Sequence, residues 1–279
     1  MTTPRVALLG TGIMGHGMAR NIAEAGLPLV VWNRSPDKAG DLGVDVAATA
    51  ADAVRDADVV VTILSDADVV ESVVRDAAPA RGTVWLQQAT VGVAGCERLS
   101  AVADELGLVY VDAPVLGTRG PAEAGQLTVL ASGPDETREM VGPVLDAIGA
   151  KTLWLGPAGA GSRLKLVVNS WVLTVVEGVA ESLVLARALG LDPQQFLDVV
   201  EGGGLDAPYV QLKGAAMLAG ELDAQFPLWG AAKDARLIEE AAADVDVDLA
   251  IISAARRHFE RAVADGHGAL DMAATYLSH

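Results

Sequence analysis

The chain has 279 residues, 51% of them hydrophobic, enough to bury two modest cores and to predict a folded two-domain protein. Its formal charge of -17 excludes a nucleic-acid partner, because binding a phosphate backbone needs clustered Lys and Arg. Cys96 is the only cysteine, which excludes a disulfide framework and a thiolate metal site and points to a reducing, cytoplasmic location.

In chain order, residues 6–9 form a short apolar strand, too short for the core of a signal peptide. It runs into Gly10-Thr11-Gly12-Ile13-Met14-Gly15, after which Met18, Ile22 and Ala25 mark a helix ending at Gly26. In this strand–glycine–helix order each glycine has a task. Gly10 permits the tight turn, Gly12 lets the backbone approach a pyrophosphate, and Gly15 lets the helix pack against the strand. The phosphates then sit at the helix N-terminus, beside Ile13 and Met14.

A second strand at 29–32 ends in Asn33-Arg34-Ser35, with Lys38 one turn on. An NAD site wants a carboxylate here to accept from the ribose hydroxyl. Arg34 can instead stack on adenine and hold a 2′-phosphate that Ser35 also reaches, so NADPH is expected over NAD. The alternation continues with helices over 52–56, 68–77 and 94–106 and strands over 59–64, 83–86 and 109–111. Crossovers of this length predict a doubly wound parallel sheet of the Rossmann type, with ligands collecting at the strand C-termini. Leu64, Ser65 and Thr90 fall there and are expected to border the cofactor.

Residues 112–123 are rich in Gly and Pro and read as an irregular loop, a candidate substrate cradle containing Leu116, Gly117 and Thr118. Gly117 would bring backbone N–H groups close to an anionic ligand. Residues 127–131 and 151–155 read as closing strands around a helix that begins near Pro134.

From there the pattern is helical. Ser162 reads as the cap of a helix over 162–189 that is apolar over most of its circumference and needs cover from other helices and from a second subunit, making a homodimer. Glu177 and flanking polar residues interrupt its apolar run well short of the roughly 20 residues of a membrane span, so no membrane is expected. Lys165 and Asn169, four residues apart, share one face of this helix. A lysine near a helix N-terminus feels the positive end of the dipole, which favours passing on a proton; the pair suits a general acid beside a substrate-orienting amide, or else a solvated lysine on a surface face.

Further helices are expected over 194–201, 210–219, 229–243, 249–265 and 270–277, giving a Rossmann domain over 1–160 and an all-helical substrate and dimerisation domain over 161–279. Tyr209, after a glycine-rich link, is a candidate substrate contact or a half-buried core aromatic, and Lys233-Asp234 reads as a surface ion pair. His16, His258, His267 and His279 show no ligand spacing, so no metal is expected.

These stretches together resemble the β-hydroxyacid dehydrogenase family, which includes 3-hydroxyisobutyrate dehydrogenase and the glyoxylate/succinic semialdehyde reductases. The resemblance rests on the glycine loop with Met18-Ala19, on Val31-Trp32-Asn33-Arg34, on Asp112-Ala113-Pro114-Val115, on residues 161–169, and on Phe226 with Lys233-Asp234. It implies hydride transfer between a nicotinamide and a carbonyl or hydroxyl carbon. It also implies a catalytic Lys165, a substrate-binding Asn169 and a cofactor-proximal Lys233. Pro121-Ala122-Glu123 is similar to the glyoxylate/succinic semialdehyde branch. Two departures stand out: Leu116 replaces a serine that usually holds the substrate carboxylate, and Gln87-Gln88-Ala89-Thr90 keeps only Thr90 of its usual motif. A more apolar carbonyl, or an imine reduced at C=N, is therefore an alternative substrate, and a non-catalytic NADP-binding protein is a further alternative.

Overall fold

The computed structural model describes residues 3–40 and 42–279, and the chain divides into two compact units, the first ending at Lys165 and the second being Leu166–His279. The division falls inside a helix rather than at its start.

In the first unit, strands β1 (Val6–Leu9), β2 (Leu29–Trp32), β3 (Asp45–Val46), β4 (Val59–Thr62), β5 (Val84–Gln87) and β6 (Val109–Asp112) form a parallel sheet in the order β3-β2-β1-β4-β5-β6. Helices α1 (Gly15–Glu24), α2 (Ala50–Val54), α3 (Ala67–Ala77) and α4 (Gly92–Leu106) provide connections between successive strands. β1 and β4 are buried at every position, as central strands covered on both faces must be, and so read as continuous apolar runs. Their side chains alternate between two cores. Val6 and Leu8 join Met18, Ile22 and Val61 on one face, while Ala7 and Leu9 join Val54 and Val60 on the other. The chain reverses its winding direction between β1 and β4, which places the binding crevice at the C-termini of those strands.

β3 was not legible in the sequence: it is two exposed residues at the sheet edge, too short for any period to register. Residues 112–123 also depart from the expected irregular loop. Val115–Leu116 is a strand, β7, pairing antiparallel with β8 (Leu127–Ala131), which pairs parallel with β9 (Gly149–Trp154) to make a separate three-stranded sheet. Arg119–Glu123 is a short helix, α5, and Arg138–Ile148 is α6. Gly117 makes the turn between β7 and α5 at φ +132°, where a Cβ would also meet Leu127 Cδ2 at 2.7 Å. α5 is held on α1 by long-range bonds no local pattern announces: Asn21 Nδ2 donates to the Ala122 carbonyl at 2.8 Å, and Arg20 donates to the Glu123 carbonyl at 3.0 Å.

Helix α7 (Ala160–Ala188) is continuous over 29 residues. In the second unit it is followed by α8 (Gln194–Val200), α9 (Pro208–Ala219), α10 (Leu228–Ala243) and α11 (Ala250–Ala262), then a π turn at Val263–His267 and a 3-10 helix at Met272–Ser278. No strand is present among the described residues of this unit beyond an isolated bridge between Pro227 and Asp271. α7 leaves Val167, Trp171 and Leu185 exposed, Trp171 by 67%.

Candidate active site

The glycine loop is shaped by sterics that only glycine meets. A Cβ on Gly10 would lie 2.4 Å from the Ile63 carbonyl oxygen, and one on Gly15 would lie 1.9 Å from the Gly10 carbonyl oxygen. Gly12 differs: nothing lies within 4 Å of its Cβ position, so its backbone faces open space. Met14, the N-cap residue of α1, makes no side-chain capping bond, leaving the positive end of the helix to an outside acceptor. Ile13 is exposed and Met14 half-buried beside it. The Thr11 hydroxyl oxygen is buried with no hydrogen-bond partner in the protein. An open glycine, an uncapped helix and an orphaned hydroxyl together fit a dinucleotide phosphate.

At the end of β2, Asn33 Oδ1 accepts from the Thr11 N–H at 3.1 Å and its Nδ2 donates to the Ser35 carbonyl at 2.9 Å. Both ends of this amide are used to tie the glycine loop to the turn that follows β2. Arg34, Ser35 and Lys38 are exposed on that turn, together with Asp37. Leu64 and Ser65 follow β4 and are half-buried, with Ser65 Oγ donating to Asp66 Oδ2 at 2.7 Å. Thr90 follows β5, half-buried and engaged with the surrounding structure.

The unusual Gln87-Gln88 pair has a physical account. Gln87 donates from Nε2 to the Ala89 carbonyl at 2.9 Å and accepts at Oε1 from the Ala89 N–H at 2.7 Å, closing the turn after β5 with its own side chain. Gln88 is buried with neither side-chain polar atom partnered in the protein. Gln88 and Thr11, neither given a site role from the sequence, are therefore polar groups that the dinucleotide fold buries without satisfying.

Ser162 does not cap α7. It lies inside the first turn, and the capping is done from a distant strand end: the Ser162 N–H donates to Asp112 Oδ2 at 2.8 Å, and its hydroxyl donates to Asp112 Oδ1 at 2.7 Å. The Ser132 hydroxyl adds a bond to Asp112 Oδ2 at 3.1 Å and accepts from the Gly161 N–H at 2.9 Å. A Cβ on Gly161 would lie 2.1 Å from the Leu130 carbonyl oxygen, so glycine is what allows this close approach. Burial pushes the Asp112 carboxyl above the ordinary carboxylate range, with the hydrogen bonds from Ser162 and Ser132 opposing the shift. Cys96, close by, has its thiol pushed up to about 12 by burial and then by the Asp112 charge, which leaves it unreactive.

One turn further along α7, Lys165 is 9% exposed and its Nζ donates to the Val115 carbonyl at 2.7 Å. The capped helix start thus delivers an ammonium to the strand that carries Leu116, which is half-buried, with exposed Gly117 and half-buried Thr118 following.

In the second unit, Asn169 is buried and its Nδ2 donates to Asp234 Oδ2 at 2.7 Å, while Asp234 Oδ1 lies 3.0 Å from Lys233 Nζ. The expectation of a surface ion pair is corrected here. Asp234 is buried on α10 and serves as the anchor of Asn169, which fixes the direction of the amide. Nothing in a Lys-Asp dipeptide distinguishes this from a solvated pair, since the partner lies on another helix. Tyr209 is half-buried, with Lys213 Nζ 5.5 Å from its ring centroid, and its hydroxyl is pushed up by burial and then by the Asp271 charge. It covers the buried Lys213–Asp271 pair, which closes at 2.6 Å.

Residues 5–156 match the family described as the NAD binding domain of 6-phosphogluconate dehydrogenase, and residues 159–278 match the NAD-binding family of NADP-dependent 3-hydroxyisobutyrate dehydrogenase. The chain is 32% identical to glyoxylate/succinic semialdehyde reductase 2, chloroplastic, of Arabidopsis thaliana, over 96% of this chain and 77% of that protein. The crystal structure of 3-hydroxyisobutyrate dehydrogenase from Salmonella typhimurium superposes with a TM-score of 0.90 at 26% identity, covering 98% and 99% of the two chains. A reductive aminase from Aspergillus terreus, in complex with NADPH and ethyl-5-oxohexanoate, superposes with a TM-score of 0.66 at 25% identity over 98% of each chain. With two family matches spanning nearly all of its length, a glycine loop fitted to dinucleotide phosphates and a 3-2-1-4-5-6 sheet, the chain belongs to the β-hydroxyacid dehydrogenase family and is a nicotinamide-dinucleotide oxidoreductase of the 3-hydroxyisobutyrate dehydrogenase type.

Proposed function

We propose that the protein is an NADPH-dependent reductase that moves a hydride between the nicotinamide and a small carbonyl or hydroxyl carbon, with Lys165 as acid and base. The observation that carries this reading is the buried Lys165 ammonium, held 2.7 Å from the Val115 carbonyl by a helix start anchored on Asp112. When bound, the cofactor supplies or accepts the hydride. Gly10, Gly12, Gly15 and the uncapped N-terminus of α1 would hold its pyrophosphate and Thr11 would donate to it, while Leu64, Ser65, Thr90 and, by family resemblance, Lys233 are assigned to its nicotinamide half. Lys165 gives a proton from Nζ to the substrate oxygen as negative charge develops there, and takes it back in the oxidative direction. Asn169, fixed by Asp234, keeps its carbonyl oxygen for the substrate. Leu116, Gly117 and Thr118 line the substrate cradle.

The test is NADPH oxidation by purified protein against a panel of semialdehydes, keto acids, hydrophobic ketones and cyclic imines. Turnover of a semialdehyde or keto acid is the expected result, and no turnover of any carbonyl would overturn the reading. Leu116 favours a second reading, since an apolar side chain replaces a hydroxyl that would hold a carboxylate. Losing such a bond costs about 1.5–3 kcal/mol, or roughly 10–150-fold in affinity. Turnover of a cyclic imine with none of a semialdehyde would decide for C=N reduction.

Preference for NADPH rests on Arg34, Ser35 and Lys38, exposed together after β2. Arg34→Ala is expected to weaken NADPH binding roughly 10–150-fold and NAD binding far less, the loss of one charge-assisted bond to phosphate. Fluorescence titration of both cofactors checks this, and equal losses would count against the preference. Asp234→Ala is expected to release Asn169, raising KM more than it lowers kcat, by about 10–100-fold in kcat/KM at a cost of roughly 1.4–2.8 kcal/mol. Asp234→Asn, which keeps an oxygen for Asn169, recovers part of it; steady-state kinetics on the best panel substrate measures both. The homodimer rests on the exposed Val167, Trp171 and Leu185 of α7, a cytoplasmic site on the single buried free thiol. α7 is long and apolar enough by length and composition to cross a membrane, but it carries Arg163, Lys165, Glu177, Glu181 and Arg187, so we read its cover as protein.

A further inference from the structure

Four side chains with metal-ligating atoms, far apart in the sequence, meet in the second unit. Glu177 and Glu181 lie four residues apart on α7, His258 is on α11, and His279 follows the 3-10 helix Met272–Ser278. One ligand atom from each lies within 4.8 Å of the others. Glu177 is 5% exposed, and its Oε1 lies 2.5 Å from His258 Nδ1 and 2.7 Å from His279 Nε2. Its other oxygen, Oε2, accepts from the Thr275 hydroxyl at 2.9 Å. The two imidazoles meet edge to face, with centroids 4.5 Å apart.

This arrangement has more than a buried ion pair requires. A carboxylate out of water needs partners, but one imidazole and one hydroxyl would satisfy it; here two imidazoles converge on the same oxygen with a second carboxylate beside them. Two imidazole nitrogens and two carboxylate oxygens are the donor set of a borderline divalent ion such as zinc, and a poor one for calcium or magnesium, which take six or more oxygens. Thr275 holds the non-ligating oxygen of Glu177, the outer-shell bond that orients a ligating carboxylate. Glu181 and His279 are the exposed members of the cluster, on the side that leaves an entry path. Bonds of 2.0–2.1 Å in tetrahedral geometry set neighbouring ligand atoms about 3.3 Å apart. Each nitrogen therefore moves under about 1 Å from Glu177 Oε1 when its N–H contact is exchanged for a metal bond.

We propose that Glu177, Glu181, His258 and His279 bind one divalent transition-metal ion of the zinc class, tying α7, α11 and the segment after Met272–Ser278 together in a structural site. The test uses the full chain, stripped with a chelator, desalted and titrated with Co2+ alone and then Zn2+ alone. The expected result is one ion per chain, visible d–d bands of four-coordinate Co2+ that Zn2+ abolishes, and a higher melting temperature with Zn2+. Glu181→Gln and His279→Gln, each checked for native far-ultraviolet circular dichroism, are expected to weaken Zn2+ binding roughly 10–100-fold or more. His267→Gln, outside the cluster, leaves it unchanged. A Co2+ spectrum that remains that of the hydrated ion would overturn the site. So would Zn2+ affinity indifferent to Glu181→Gln and His279→Gln, or one lost in His267→Gln.

Discussion

Lys165→Ala is expected to lower turnover about 10²–10⁴-fold, the range supplied by one positioned proton donor, while NADPH still binds with near-normal affinity. The reasoning is local. The Lys165 side chain is buried and its Nζ meets the Val115 carbonyl at 2.7 Å, so truncation removes the proposed proton source without disturbing the glycine loop. Alanine also keeps the helix, having the best helix propensity of any residue, so α7 is expected to survive. Lys165→Arg separates charge from proton transfer: guanidinium stays protonated and cannot hand on its proton, so it should not rescue turnover even if substrate still binds. Steady-state kinetics and NADPH titration are to be read side by side. A Lys165→Ala variant with near full rate would remove the acid–base role, whereas loss of both turnover and cofactor affinity would mean the substitution had disturbed the fold.

The second large effect is on stability. Asp112→Ala removes the acceptor for the Ser162 N–H and hydroxyl and the partner of Ser132, leaving buried donors unsatisfied at the first turn of α7. Losing a helix cap and orphaning a buried N–H together cost about 2–4 kcal/mol, measurable as a shift in urea midpoint. The same carboxyl carries a pH signature. Burial raises its folded-state pKa above the ordinary value of 3.8, so in the window between the two values the folded chain holds more protons than the unfolded chain. Unfolding free energy from this group therefore falls as pH rises through that window, and is largest below it. Surface carboxylates such as Asp58 and Asp206, whose pKa values are lowered by hydrogen bonding, act with the opposite sign as pH falls through their own values. The difference between wild type and Asp112→Asn, measured by urea unfolding across pH, isolates the buried group. Asn should cost stability at every pH but lose less of it as pH rises, and parallel curves would mean Asp112 titrates as an ordinary carboxyl.

What the sequence determined by itself is the part of the fold built from near neighbours. The apolar runs of β1 and β4, the glycines of the loop before α1, and the long apolar stretch of α7 each follow from period and sterics within about 30 residues, the length of a βα unit. Placing Lys165 and Asn169 on one helix face is likewise a matter of spacing alone. Tertiary structure decided whatever depended on a partner elsewhere in the chain. Ser162 has the composition of a cap, yet Asp112, arriving from the end of β6, does the capping. Lys233-Asp234 has the composition of a surface pair, yet Asp234 is buried against Asn169. His258 and His279 show no ligand spacing along the chain, and still converge on Glu177. Periodicity records which face of an element is buried, because burial repeats with the backbone; it does not record which polar group on a distant element answers another, because that pairing is fixed only when the elements pack.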